Sequence, residues 1–426
     1  MKIQDLDVAV IGGGIGGLCL AHGLKKAGVP VRVYERDESG TARTQGFRIH
    51  IDPDGSRALH QCLPAQLWDV FTATGGLFSQ GFSMLTDQLE ELLHRAGDDA
   101  PPDPIAQHRS ISRVTLRALL LAGLEAEVEF GKRFAHFEEL PAGRRRAWFD
   151  DGTFADANVL VGADGVNSPV RRQYLPGAEP AQTGVVTIAG RLPLTAGILA
   201  LVPKQLLDGP ALVVPPGQSS LFMGLWKRSR ESAEVLRRLG GDPSVADEDD
   251  HLVFGLAVRA DRFGILGDPR SIPGTQLMQI VRRAMKGWHA DLRKLSEMID
   301  EDALVANPLR SSRRISAWQS TPVTLLGDAI HSMTPFQGIG ANIALKDAAL
   351  LCSQLIQVQS GEKELLTAVA AYENSMRTYA FKAVDASLRS MEFAILRKQA
   401  PVFQIAKTAM RLVNQVAKLN RLRMAA

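Results

Sequence analysis

The spacing Gly12-x-Gly14-x-x-Gly17 sits directly between two segments of different periodicity, and this constrains the chain more than any other feature. Residues 6–11 form a short apolar run of the buried parallel-strand type, and residues 15–27 carry apolar side chains at helical spacing. Strand, glycine turn and helix follow one another without a gap, which is how a dinucleotide-binding βαβ unit opens. Gly12 permits the tight turn, Gly14 lets the backbone approach a pyrophosphate at the helix N-terminus, and Gly17 allows close packing of helix on strand. A second apolar strand over 29–34 ends in Glu35, eighteen positions after Gly17. A carboxylate there accepts hydrogen bonds from ribose hydroxyls, so Glu35 is the candidate ribose ligand. The plainer alternative is a glycine turn without a ligand and an exposed glutamate.

Composition bounds the rest. With 426 residues, 45% hydrophobic and 22% charged, the chain can build two packed lobes around a sizeable core. A formal charge of +3 is too slight and dispersed to argue for nucleic acid as a partner. Three cysteines, Cys19, Cys62 and Cys352, form neither a C-x-x-C pair nor a metal-ligand cluster, which fits a reducing cytoplasm. The apolar N-terminus is strand plus glycine loop, so neither a signal peptide nor an integral membrane segment is expected.

Further along, residues 44–51 read as a turn into an alternating strand. Arg43 and Arg48 flank its glycine, and Arg36 follows Glu35; Arg36 and Arg43 are taken as cofactor-binding candidates, with solvated arginines as the alternative. Residues 112–120 read as a helix capped by Ser112, which places Arg113 beside the helix N-terminus and Arg117 one turn on. Residues 147–154 form a hairpin with an Asp-Gly turn, and the strand over 158–162 delivers Asp164 to its end. Ser168 and Pro169 then open a helix. Asp164 thus stands at a strand-to-helix crossover, where ligands bind in open α/β sheets.

The same logic returns near residue 325. An apolar strand over 322–326 ends in Gly327-Asp328, a loop carries Pro335, Gly338 and Gly340, and a helix runs over about 341–355 with Asn342 in its first turn. His331, inside this packed loop, reads as structural rather than as a base.

Taken together, these residues resemble the group A flavoprotein monooxygenases, the family of p-hydroxybenzoate hydroxylase, salicylate hydroxylase and the tetracycline-inactivating monooxygenases. The resemblance spans about residues 8–355. Gly12, Gly14, Gly17 and Glu35 resemble the family's adenosine-diphosphate site. Ala163-Asp164-Gly165-x-x-Ser168-x-x-Arg171 resembles its motif serving FAD and the nicotinamide cofactor. Gly327-Asp328-Ala329-x-His331-x-x-x-Pro335-x-x-Gly338-x-Gly340-x-Asn342 resembles its flavin-ribityl motif, and the family's arginine in R-x-x-L falls on Arg113. Ile330 stands where the family often has alanine.

The resemblance implies FAD as resident cofactor and NAD(P)H as a transient one without its own Rossmann domain. It also implies that O2 forms a C4a-hydroperoxyflavin, which hydroxylates an aromatic or polycyclic small molecule. Asp328 would accept from a ribityl hydroxyl, and the N-terminus of the helix after Gly340 would stabilise negative charge on the reduced ring. No catalytic triad and no metal are expected, and tailoring of a natural product follows from family habit. A flavin-dependent halogenase shares the fold, but its W-x-W-x-I-P segment is absent. Baeyer-Villiger oxygenation, flavin-dependent dehydrogenation and non-catalytic flavin-dependent ligand binding remain as alternatives.

The expected fold is α/β, a Rossmann-like FAD-binding domain with an inserted antiparallel β-sheet substrate domain and C-terminal helices. The FAD-binding domain takes 1–75, 101–182 and 278–360. The substrate lobe takes 183–277 with a contribution from 76–100, and the helices occupy 361–426. Met223, Trp226, Phe254 and Phe336 could wall a pocket, but an apolar residue in a strand is more often ordinary core, and no substrate residue is assigned. From Phe393 onward the chain has no acidic residue. This basic amphipathic tail is expected to pack across the two lobes as two helices broken at Pro401, with membrane-surface binding as the alternative.

Overall fold

The computed structural model describes residues 6–40, 48–77, 81–95, 103–226, 234, 237–238, 250–396 and 400–425. Its first layer is a five-stranded parallel sheet in the order Val323–Leu325, Val159–Gly162, Val8–Ile11, Val31–Tyr34, Val128–Glu129. In the centre of the sheet Val8 pairs with Val159 on one side and Val31 on the other, and Ile11 pairs with Gly162 and Tyr34. Every residue of Val8–Ile11 and Val159–Gly162 is buried, which is why both read as unbroken apolar runs instead of alternating ones.

The helix Ile15–Lys26 packs against the twenty-residue helix Gly340–Gln359. Gly23 makes the approach possible, because a Cβ there would stand 2.7 Å from Sγ of Cys352 and 3.1 Å from Sγ of Cys62. The three cysteines are free and buried.

The second layer is a seven-stranded sheet in the order Val305–Ser311, Ala181–Pro193, His251–Arg259, Ser219–Trp226, Ala211–Val213, Phe82–Leu85, Glu91–Arg95. All its pairings are antiparallel except that of Ala211–Val213 with Phe82–Leu85. Helices Gly274–Ala284 and Ala290–Glu297 cover one face. There Leu277, Met278, Val281, Leu292 and Leu295 meet Leu221, Met223, Phe254 and Leu256 in a second core.

This corrects the expected lobe boundary at 277. The strand Val305–Ser311 and both covering helices belong to this layer, because the long strand Ala181–Pro193 offers a second edge that only a later segment fills. A small sheet joins Arg48–Ile51 to Arg109–Ser112, with Gly76–Leu77 on its other side.

The C-terminal run is divided beside Pro401: one helical segment ends at Leu396 and another, Ala400–Ala425, opens with the proline in its first turn, where its missing N–H costs nothing. That helix docks on the sheet edge Glu91–Arg95: Asn414 accepts from the His94 N–H at 3.1 Å and donates to Glu91 at 2.9 Å, and Arg411 pairs with Glu90 at 2.6 Å. Among the described residues no helix is long and apolar enough to cross a membrane.

Candidate functional site

The glycine turn follows from its contacts. Gly12 holds φ +110°, and a Cβ on it would stand 2.5 Å from the Ala163 carbonyl oxygen. A Cβ on Gly17 would stand 2.2 Å from the Gly12 carbonyl oxygen, so the helix can lie this close to the strand only with glycine there. Gly14 differs: a Cβ there meets only the Ala163 carbonyl oxygen, at 3.9 Å. The protein's own packing does not require that glycine, and the space it leaves opens into the cavity.

Glu35 is buried in the cavity wall, with Oε2 accepting from the Gly13 N–H at 2.8 Å and Oε1 from the Asp37 N–H at 3.0 Å. Arg117 completes the turn. Its guanidinium donates to the Gly13 carbonyl at 2.5 Å and lies 3.6 Å from the Asp37 carboxylate. Sequence reasoning gave Arg117 no role; the available signal was its position one turn after Arg113 on the same helix, Arg113–Leu121.

Asp164 and Asp328 stand at the ends of neighbouring strands and both line the cavity. Asp164 Oδ2 accepts from the Val170 N–H at 3.2 Å, whereas no described group donates to the buried Oδ1. Burial pushes both carboxyl pKa values up, opposed at Asp164 by the Ser168 hydroxyl and at Asp328 by the charges of His331 and Arg113. Two carboxyls facing one cavity, one with an unmatched acceptor, suit a ligand rich in hydroxyl donors. Arg113 lines the same cavity, so the structure brings it together with Asp328.

Behind these groups lies a structural layer. Arg171, fully buried, donates to the carbonyls of Ala329 at 2.7 Å and Val166 at 2.9 Å, tying the two aspartate-bearing loops together. Asp347 accepts from the Gly327 N–H at 2.8 Å and the Tyr379 hydroxyl at 2.6 Å, and lies 2.5 Å from Nε2 of His331. Burial alone would lower the His331 pKa, but the Asp347 charge and hydrogen bond outweigh it and the pKa is raised. His331 is therefore held as the partner of a buried carboxylate, in accord with its structural reading.

Pro335, Gly338 and Gly340 line the cavity, and the helix Gly340–Gln359 starts without a side-chain cap, leaving its first amides open on that side. Asn342 does not line it. Its side chain accepts from the Asp52 N–H at 3.0 Å and donates to the His50 carbonyl at 2.8 Å, which pins the strand Arg48–Ile51 to the long helix. The Asn342 side chain is thus engaged in structural contacts, because in the first turn of the helix it points across to that strand. Arg36 lines the cavity; Arg43, and the side chain of Arg48, lie outside the described residues.

The cavity measures about 1880 Å³ and continues from the glycine turn to the open face of the seven-stranded sheet. Alternation decides which side chains reach it. Thr187, Ala189, Ser220, Phe222, Gly224, Val253, Gly255 and Ala257 form the floor. Ala189 pairs with Gly255, which pairs in turn with Phe222, so small residues on two strands leave a flat step bounded by the Phe222 ring on the third. Trp226 and Phe336 line the cavity as expected. Met223 and Phe254 fall on the opposite face and pack in the second core, the commoner fate of an apolar strand residue.

These residues fit a dinucleotide. The space beside Gly14, the unmatched oxygen of Asp164, the carboxyl of Asp328 and the uncapped helix offer room, acceptors and amide donors along one wall. The volume also exceeds the roughly 300–1,000 Å³ of an ordinary small-molecule pocket, leaving room for a second molecule.

Residues 296–387 match the family described as FAD binding domain, and residues 10–73 match the NAD(P)-binding Rossmann-like domain. A crystal structure of a putative FAD containing monooxygenase from Photorhabdus luminescens is 36% identical, with a TM-score of 0.80 and coverage of 92% of this chain and 99% of that one. A dual O-methyltransferase/FAD-dependent monooxygenase of Cercospora beticola is 31% identical over 88% of this chain, and the chain spans only 44% of that relative's length. The 3-amino-4-hydroxybenzoate 2-monooxygenase of Streptomyces cremeus is 28% identical over 88% of this chain and 84% of its own length.

Proposed function

The chain belongs to the group A FAD-dependent monooxygenases, and on that premise we propose that it uses NAD(P)H and O2 to hydroxylate a flat aromatic or polycyclic small molecule. The observation that carries this is the single cavity of about 1880 Å³ joining the dinucleotide cradle to a sheet face paved with small residues. Gly12, Gly14, Glu35, Arg36, Arg113, Asp164, Asp328, Pro335, Gly338 and Gly340 would hold FAD, with Gly17 allowing the turn to close. When bound, FAD supplies the redox chemistry, taking two electrons from the nicotinamide and activating O2 so that one atom enters the substrate and the other leaves as water.

The protein's part is orientation and electrostatics. The strip Ala189, Gly255 and Gly224 admits a flat molecule against the backbone, with Phe222 and Trp226 beside it. Phe336 and Met333 also line the cavity and help keep water from it. The uncapped start of Gly340–Gln359 favours negative charge on a reduced ring placed beside it. The Arg113 guanidinium offsets the Asp328 carboxylate, limiting the charge that burial must accommodate. Tailoring of a natural product in the cytoplasm is part of the proposal, and the breadth of the floor supports a substrate of more than one ring.

An anaerobic titration of the flavin-loaded protein with NADH or NADPH, with and without a panel of polycyclic phenols, tests the proposal. Bleaching of the visible flavin band, accelerated by one phenol, is the expected result, followed in air by a product heavier by one oxygen atom. A product lighter by two hydrogens would replace hydroxylation with dehydrogenation. A flavin that never bleaches would overturn the enzymatic assignment.

A further inference from the structure

The C-terminal helix carries a surface that none of the roles above uses. Ala400–Ala425 docks on the strand Glu91–Arg95 by one side only: Lys407 and Asn414, seven residues apart, are buried, and Arg411 is held by Glu90. On the outward side Ile405, Leu412, Val413 and Val416 are 70%, 57%, 60% and 57% exposed. Ala409 is exposed among them. Scattered apolar residues on a surface need no explanation, but five along one side of a single helix mark a place where something docks.

Spacing narrows what that can be. Ile405, Ala409, Leu412 and Val416 follow one another at intervals of four, three and four, the repeat of a coiled-coil seam, which is shaped for a second helix. In this register the flanking positions are Ala406, Thr408, Val413 and Gln415, and none carries a charge. Lys407 and Asn414 fall opposite the seam, on the docked side, so the helix is held with its seam outward. The cations that would fasten such a helix to anionic lipid point elsewhere: Lys407 is buried in the protein and Arg411 is paired with Glu90. An uncharged seam is what self-association needs, because a chain that meets its own copy brings like charge to like.

The geometry points to a second copy of this chain as the occupant, its C-terminal helix lying antiparallel to this one about a two-fold axis between Ala409 and Leu412. That axis sets Ile405 against the partner's Val416 and Ala409 against the partner's Leu412. Each central layer then joins a small side chain to a large one, as close packing requires. A parallel pair would instead set Ala409 on the partner's Ala409 and leave a gap. Opposed helix dipoles favour the antiparallel course as well. The contact uses the same patch on both copies, so it closes on itself and association stops at two. From Ile405 to Val416 the seam rises only about 16 Å, which makes the dimer reversible and dependent on concentration.

Sedimentation velocity of the flavin-loaded chain over a concentration series tests the inference, with a shift from monomer to dimer as the expected result. Leu412→Glu and Val416→Glu should each raise the dimer dissociation constant at least about a hundredfold, because each buries a charge in the seam. Gln404→Glu adds the same charge to an exposed position outside the seam and should leave the constant unchanged. All three positions are exposed, so flavin content and thermal midpoint should match the parent protein. Cross-linking gives a reading that needs no glutamate variant. Under a mild oxidant Ile405→Cys alone should stay unlinked, because its two copies would lie about 16 Å apart along the helices. Adding Val416→Cys to it should give a disulfide-linked dimer, while the native cysteines, all buried, stay apart from the reaction. A protein that is monomeric throughout, or a dimer that survives both glutamate variants, would overturn the assignment. Linkage by Ile405→Cys alone would overturn the antiparallel course. A monomer that floats with phosphatidylglycerol-containing vesicles, and loses this in Leu412→Glu, would also overturn it and give the seam to a lipid surface.

Discussion

Single atoms decide much of this site. Gly14 and Gly17 belong to one motif, yet a Cβ at 17 would meet a main-chain oxygen at 2.2 Å, whereas at 14 it would make only an ordinary contact at 3.9 Å. Gly17→Ala should therefore destabilise the fold by about 1–3 kcal/mol, as overpacking does, and lower flavin content with it. Gly14→Ala should leave the thermal midpoint of the flavin-free protein nearly unchanged and weaken flavin retention; differential scanning fluorimetry with and without FAD separates the two. The Asp347–His331 contact makes a pH prediction. A histidine whose folded pKa is raised contributes stability that is fully present below its unfolded value near 6.5 and is lost as pH rises through the folded value. Urea midpoints should accordingly fall on the alkaline side of neutrality, and Asp347→Asn should flatten that slope while lowering stability throughout, because three groups lose a charged acceptor.

At the scale of elements, the helix Gly340–Gln359 is the strut against which the site is set. It packs on Ile15–Lys26, anchors the aspartate loop through Asp347 and holds Arg48–Ile51 through Asn342. Asn342→Ala should remove two hydrogen bonds, to the Asp52 N–H and the His50 carbonyl, costing about 1–3 kcal/mol in all. Urea denaturation measures the loss, and flavin affinity should fall with it even though Asn342 does not line the cavity.

The elements themselves were legible in the sequence to differing degrees. The strand, glycine turn and helix from residue 8 onward, the Asp-Gly hairpin and the Ser168 cap are local patterns, and they stand where periodicity and turn chemistry put them. Asp164 and Asp328 were legible because each closes an apolar strand. The clamp of Arg117, the redirection of Asn342 and the pairing of His50 with His108 were not. Each joins positions at least 58 residues apart, and no local pattern records such a meeting. The face taken by Met223 and Phe254 could not be chosen for a related reason: alternation shows that two faces exist but not which one the later helices cover.

At the scale of the molecule, residues of two sheets line one cavity, and the proposed function gives one the cofactor and the other the substrate. Gly255 offers a test of that division, because a Cβ on it would make only ordinary contacts, with Phe222 at 3.9 Å. Gly255→Val should keep the fold and the flavin while raising KM for the widest substrates severalfold, and steady-state kinetics on a size series would reveal it. Equal losses for small and large substrates would argue that the strip is not the seat.

The order of the parallel sheet carries a further consequence for how the molecule comes into being. Its strands are drawn from residues 8–11, 31–34, 128–129, 159–162 and 323–325, so neighbours in space are made far apart in time during synthesis. The glycine turn leaves the ribosome early, but its opposing wall, Gly327 to Gly340, emerges only after all seven strands of the second sheet have been made between them. Until then the strand Val159–Gly162 offers an apolar edge with no partner, a state in which a nascent chain is exposed to misassembly. The cradle for the dinucleotide is thus among the last features to close, and its ligand can reward folding only after the slowest part of the search is over.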